Sequence, residues 1–367
     1  MRAYLFAVTA ALITFAWSGV RPSASADDDY RLLEKIELPS RALSVAVNPD
    51  TNRLYVTLGY ELRVMDATTH ELLATLPVQG TSAMAVNRAT NTLYAVDYQG
   101  HLSVVDGETH EVADVIIAPG ANAIAVNEVS NQIYVNGDYE LTYVIDGTTN
   151  TQIAQFPPKA ANLALDPKAG RAYTIPGYPP RTSHRLSITE TETFHLLGGV
   201  NIGLHPFDVV ADPGLGRVFV AVGINDSVGP GQILVVEPES RSILKKTPLE
   251  TQIVALGIDA QSHIVYAVSF YTNSVTLLDS EGVILGSVSV GQGPNKIAVD
   301  EVRHVAYVAN SNESTIAVVG SGSSALPGLG GRPAERSGGT TFYITAGIAL
   351  LILGTALLSR AQGRPAV

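Results

Sequence analysis

Leu43-Ser44-Val45-Ala46-Val47-Asn48-Pro49-Asp50-Thr51-Asn52-Arg53-Leu54-Tyr55-Val56-Thr57-Leu58 is the stretch whose reading decides the fold. An apolar run ends on Asn48, four turn-forming residues follow, and an aromatic stands seven residues after the asparagine. Alternating, β-branched segments on either side of a Pro/Asp/Asn turn read as two antiparallel strands. The same arrangement returns along the chain as Asn87 and Tyr94, Asn127 and Tyr134, Asp166 and Tyr173, Asp212 and Phe219, Asp259 and Tyr266, and Asp300 and Tyr307. The spacing inside each pair is always seven, and successive markers lie 39 to 47 residues apart.

A period near 40 with strand-like patterning is the signature of a propeller blade. The first unit parses into strands over 43–47, 53–58, 62–65 and 72–76. The marker Asn or Asp is expected to cap the turn by accepting backbone N–H groups, and the aromatic to pack between neighbouring blades. The seventh unit ends near Val319 without a fourth strand, and 32–38 is an extra strand before the first unit. Pairing the two would close an all-β, seven-bladed β-propeller of four-stranded blades and cover the edge that the seventh unit would otherwise expose.

Tyr55-Val56-Thr57, Ile133-Tyr134-Val135-Asn136 and Tyr307-Val308-Ala309-Asn310 resemble the YVTN-type β-propeller repeat. So do the lead-ins Gly293, Pro294 and Ile297-Ala298-Val299, and Leu204-His205-Pro206 before Val209-Val210-Ala211. The resemblance covers about residues 30 to 320. It implies the propeller fold and leaves function open, because surface proteins, lactonases and quinone-dependent dehydrogenases are built on similar folds.

The two ends read differently from the repeats. Residues 1–26 have the features of a signal peptide, with Arg2, an apolar core and Ala24-Ser25-Ala26 as a cleavage site. The propeller is expected over 27–320, followed by a Gly/Ser/Pro-rich linker over 321–340. The uncharged run 341–358 is 18 residues long, just enough for a transmembrane helix at about 1.5 Å per residue. Arg360 and Arg364 in the tail 359–367 then place the propeller outside the cell membrane. Removal of the tail by a sorting enzyme is the alternative, suggested by Ser337-Gly338-Gly339.

The chain has no cysteine and a formal net charge of −11. The first excludes disulfides, thiolate metal sites and the C-x-x-C-H haem attachment. The second speaks against nucleic acid as a partner. There is no nucleophile elbow and no close-set zinc-ligand spacing, so no catalytic residue, metal or cofactor is expected. His70 and His110 share a repeat position in the turn after the third strand and read as structural. The only tryptophan, Trp17, lies in the leader, which leaves no tryptophan in the mature chain to stack on a quinone.

In a four-stranded meander the loop before the first strand and the loop between the second and third strands share one face. On that face the fourth and fifth units carry extra length and extra polarity. Lys159, Arg181, His184, Arg185, His205 and Asp208 form the candidate site, with an unidentified protein or an anionic small molecule as ligand. The expected function is a binding or scaffold module at the cell surface, acting as a monomeric propeller. The alternative is an extracytoplasmic enzyme such as a lactonase, using His205 and Asp208 at the channel mouth.

Overall fold

A computed structural model describes residues 30–322, apart from 79–80, 117–119, 138–140, 158–159, 177–183, 204 and 224–229. The linker, the apolar run 341–358 and residues 1–26 lie outside the described residues. The described residues contain no helix long and apolar enough to cross a membrane.

Seven four-stranded antiparallel sheets form the blades of a β-propeller. Blade one comprises Ser44–Asn48, Arg53–Leu58, Glu61–Asp66 and Leu72–Pro77, each paired with the next. These bounds differ from those read off the sequence by no more than one residue at each strand end. The innermost strands of blades two to seven are Thr81–Asn87, Ala123–Asn127, Asn162–Asp166, Pro206–Asp212, Ala255–Asp259 and Pro294–Asp300. In blade seven, Arg31–Glu37 lies antiparallel to Thr315–Gly320, with Arg31 opposite Gly320 and Glu37 opposite Thr315.

The blades hold together because each repeated aromatic crosses to its neighbour. Tyr55, Tyr94, Tyr134, Tyr173, Phe219, Tyr266 and Tyr307 are all buried to within 1% of complete. Tyr55 packs with Leu93 and Ala95 of blade two, Phe219 with Val265 and Ala267 of blade six, and Tyr307 with Leu54 and Val56 of blade one. The Tyr307 hydroxyl donates to the Ala67 carbonyl at 2.7 Å, joining the last blade to the first. Burial pushes the pKa values of Tyr55, Tyr134 and Tyr173 up to about 12, so these phenols stay neutral and act as packing groups.

The marker residues cap their turns. Asn48 accepts from the Asp50 amide at 3.1 Å, and Asp259 from Gln261 and Ser262 at 3.0 and 3.1 Å. They also do something the sequence reading did not foresee. Four residues after each marker stands a residue in the left-handed region: Asn52, Asn91, Asn131, Gly170, Gly216, His263 and His304. The marker of one blade reaches this residue in the next. Asn48 donates to Asn91 and Asn87 to Asn131, each at 2.8 Å. Asp212 faces His263 Nδ1 at 2.8 Å, and Asp259 faces His304 Nδ1 at 2.6 Å. Arg303 joins Asp300 to Asn52 across the closing junction. Carboxamide meets carboxamide and carboxylate meets imidazole. Where the left-handed residue is Gly170 or Gly216 there is no side chain to complete the link.

Candidate functional site

The first strands run from one face of the propeller to the other, and their inner edges line a central channel. At the far end, where these strands finish, the channel is bordered by charge pairs. Arg88 contacts both carboxylate oxygens of Asp50 at 2.8 and 3.0 Å and reaches Glu301 at 3.5 Å. Glu128 accepts from the Arg88 amide at 3.0 Å, and Glu301 from the Ala260 amide at 3.2 Å. The Arg88 guanidinium holds the Asp50 carboxyl below its ordinary pKa, whereas burial pushes Glu301 up.

The near end is different. Four residues before each marker stand Ser44, Ala83, Ala123, Asn162, Asp208, Ala255 and Lys296. Three small residues leave room, and the polar ones gather around Asp208. Its carboxylate accepts from Asn162 Nδ2 at 2.5 Å, from its neighbour's amide at Val209 at 2.8 Å, and from the Leu256 amide at 2.7 Å. One side chain of blade five thus ties together blades four, five and six. Burial raises the pKa of Asp208 to about 6, outweighing these three donors and the attraction of Lys296. Lys296, on blade seven, keeps partial solvent contact, yet desolvation lowers its pKa against the pull of Asp208. No hydrogen bond or ion pair among the described residues holds its ammonium.

Of the six candidate residues, Lys159 and Arg181 lie outside the described residues. Asp208 is the one seated in the channel. Arg185 is exposed and donates to the Gly199 carbonyl of its own blade's outermost strand at 2.9 Å, and the His184 carbonyl accepts from the Ile202 amide. His205 has a φ of 55°, in the position where other blades carry Gly120 at 81° and Gly293 at 66°. Its carbonyl accepts from the Gly223 amide at 2.9 Å, which gives it a turn-forming role. The groups that hold the Asp208 carboxylate are Asn162, Val209 and Leu256. Lys296, absent from the six, occupies the same repeat position as Asp208, and that shared position is the signal by which the sequence could have shown it. Among the described residues no group of three metal-ligating side chains converges.

The near face carries a second pattern. Tyr60 and Tyr98 are 78% and 68% exposed and Tyr271 46%. Each sits in the turn between the second and third strands of its blade, 11 or 12 residues after the marker. Tyr139 and Tyr178 hold the same position in the sequence and lie outside the described residues. Tyr60 borders a surface pocket of about 420 Å³ with Pro39, Ser40, Leu58, Glu61 and Arg63.

No protein-family model matches the chain, and the comparison with curated proteins returned no match. Among solved structures, 1691 chains match, so shape alone selects no activity. One is Kuenenia stuttgartiensis hydrazine synthase, with a TM-score of 0.67 at 15% identity, covering 79% of this chain and 98% of that one. A likeness at this identity establishes the propeller fold and carries no chemistry with it.

Proposed function

We propose that the protein is a binding module of the YVTN propeller type, exported by its leader and held at the cell surface by the apolar run 341–358, with the near face turned to a macromolecular partner. The observation that carries this reading is the recurrence of exposed tyrosine at one repeat position, seen at Tyr60, Tyr98 and Tyr271. Large aromatics are expensive to leave in water, and a planar ring with a polar tip provides contact area at low conformational cost. The far end, by contrast, is occupied by its own charge pairs and inter-blade links. Residues 321–340 supply reach between propeller and anchor.

Full-length protein is compared with the Tyr60→Ser/Tyr98→Ser/Tyr271→Ser variant for retention on immobilised cell-envelope polysaccharide and on envelope proteins. Retention should fall at least tenfold in the variant while its melting temperature is unchanged. Equal retention of both would overturn the tyrosine face as the binding surface. Protease treatment of intact cells should release the propeller domain if the tail anchors it outside.

The enzyme reading keeps one supporting observation, the opposite pKa shifts of Asp208 and Lys296, because shifted titrating groups at a channel mouth are a feature of active sites. Turnover of lactones that Asp208→Asn abolishes would establish it.

A further inference from the structure

The channel between its two ends is not filled. A cavity of about 230 Å³ is lined by Val45, Ala46, Val47, Met84, Ala85, Val86, Ile297, Ala298 and Val299, with Arg88 at its far end. Apart from Arg88, which follows Asn87, these residues lie on the innermost strands of blades seven, one and two. The innermost strand of a blade is a sheet edge, and alternate residues along it turn unpaired backbone groups toward the lumen.

Blades four to six show what those groups accept. The Leu256 amide, three residues before its marker, points into the channel and is taken by the Asp208 carboxylate. The Val209 amide, at the same repeat position, goes to the same carboxylate, and the Leu163 amide goes to Asn162 Oδ1 at 3.0 Å. On these three blades the inward amides are capped by side chains. The equivalent residues of blades seven, one and two are Ile297, Val45 and Met84. Ile297, opposite Val308, holds the ladder position that Leu256 holds opposite Ala267, so its amide turns toward the lumen as that of Leu256 does. Val45 opposite Val56 and Met84 opposite Ala95 hold the same ladder position. These three residues line the cavity, and Lys296 stands beside Ile297 with no hydrogen bond or ion pair among the described residues. Blades five and six therefore bind the Asp208 carboxylate through lumen-facing amides, and blades seven, one and two present the equivalent amides to empty space, with the Lys296 ammonium beside them.

We propose that the channel is a binding site for a small monocarboxylate, its carboxylate held by Lys296 and by the inward amides of Ile297, Val45 and Met84, and its apolar portion received by the Val/Ala walls. The apolar walls favour an organic acid over an inorganic anion. Asp208, on the opposite wall, is the competing negative charge, and it limits occupancy to a single carboxylate.

The test is calorimetric titration of the full-length chain with acetate, benzoate and sulfate. Benzoate should bind with one site per chain and more tightly than acetate or sulfate. Lys296→Met should weaken benzoate at least tenfold, Lys296→Arg should retain it within about threefold, and Asp208→Asn should strengthen it. Ala85→Leu narrows the cavity without touching a charge, and it should reduce benzoate far more than acetate. Its result stands even if Lys296→Met fails to fold. Failure of benzoate to bind, undiminished binding in a folded Lys296→Met, or preferential uptake of benzylammonium would each overturn the proposal.

Discussion

At the scale of single residues, the repeat uses one position for two tasks. The marker carboxylate or carboxamide caps its own turn and, where the facing residue is Asn or His, also grips the next blade. Asp212 is wholly buried and His263 partly exposed. Deleting the imidazole strands the carboxylate against its neighbours. His263→Gly relaxes the left-handed backbone yet should cost about 1 to 3 kcal/mol, the range for a buried polar group left without its partner. Adding Asp212→Asn should recover part of that loss, and equilibrium denaturation of the two single variants and the double variant measures the coupling.

Asp208 yields a pH prediction. Its pKa is about 6 in the folded chain and 3.8 without the fold. A raised carboxyl pKa means that the unfolded chain releases its proton first. The contribution to stability is therefore full below about pH 4 and is lost as pH rises through 6. A difference of about two pKa units corresponds to about 3 kcal/mol. Thermal melts between pH 4 and 8 should fall across that window in the native chain and flatten in Asp208→Asn. An unchanged slope would mean that Asp208 is already ionised in the fold.

At the scale of elements, the strand Arg31–Glu37 covers the edge of Thr315–Gly320. Without it, a long apolar strand would face water with unpaired backbone groups, the template on which sheets aggregate. Deleting residues 27–38 should produce oligomers by light scattering and broaden the melt. The inter-blade aromatics give a local measure of the same cohesion. Tyr134 packs with Leu163 and Ala172 of blade four, and Tyr134→Ala should cost about 3 to 5 kcal/mol, as for other large-to-small changes in packed cores. Blade count, strand order and the aromatic and marker roles were legible before any coordinates because each is set by a pattern of fixed period. The inter-blade links were not. They join residues more than 40 positions apart, and only the closed ring shows that the residue four after a marker faces the marker of the blade before it.

At the scale of the whole molecule, the two ends of the channel have opposite characters. Arg88 is shared among Asp50, Glu128 and Glu301 at one end. Asp208 and Lys296 leave the other electrostatically unfinished, beneath a face set with exposed tyrosines. Of the described residues of the site drawn from the sequence, Asp208 is the one the fold seats in the channel. Lys296 escaped selection because its importance depends on being enclosed, and enclosure arises only when seven blades surround it. The tyrosines escaped because an isolated surface aromatic is common, whereas its recurrence at one height on one face becomes visible only on the assembled ring.

By itself the sequence determined the repeat, the seven blades, the turn caps and the aromatic wedges, since these follow from local periodicity and from contacts between adjacent units. Only the tertiary structure decided which charges are desolvated and which inward amides are capped. Burial and lumen-facing geometry are properties of the closed ring, and no single repeat possesses them.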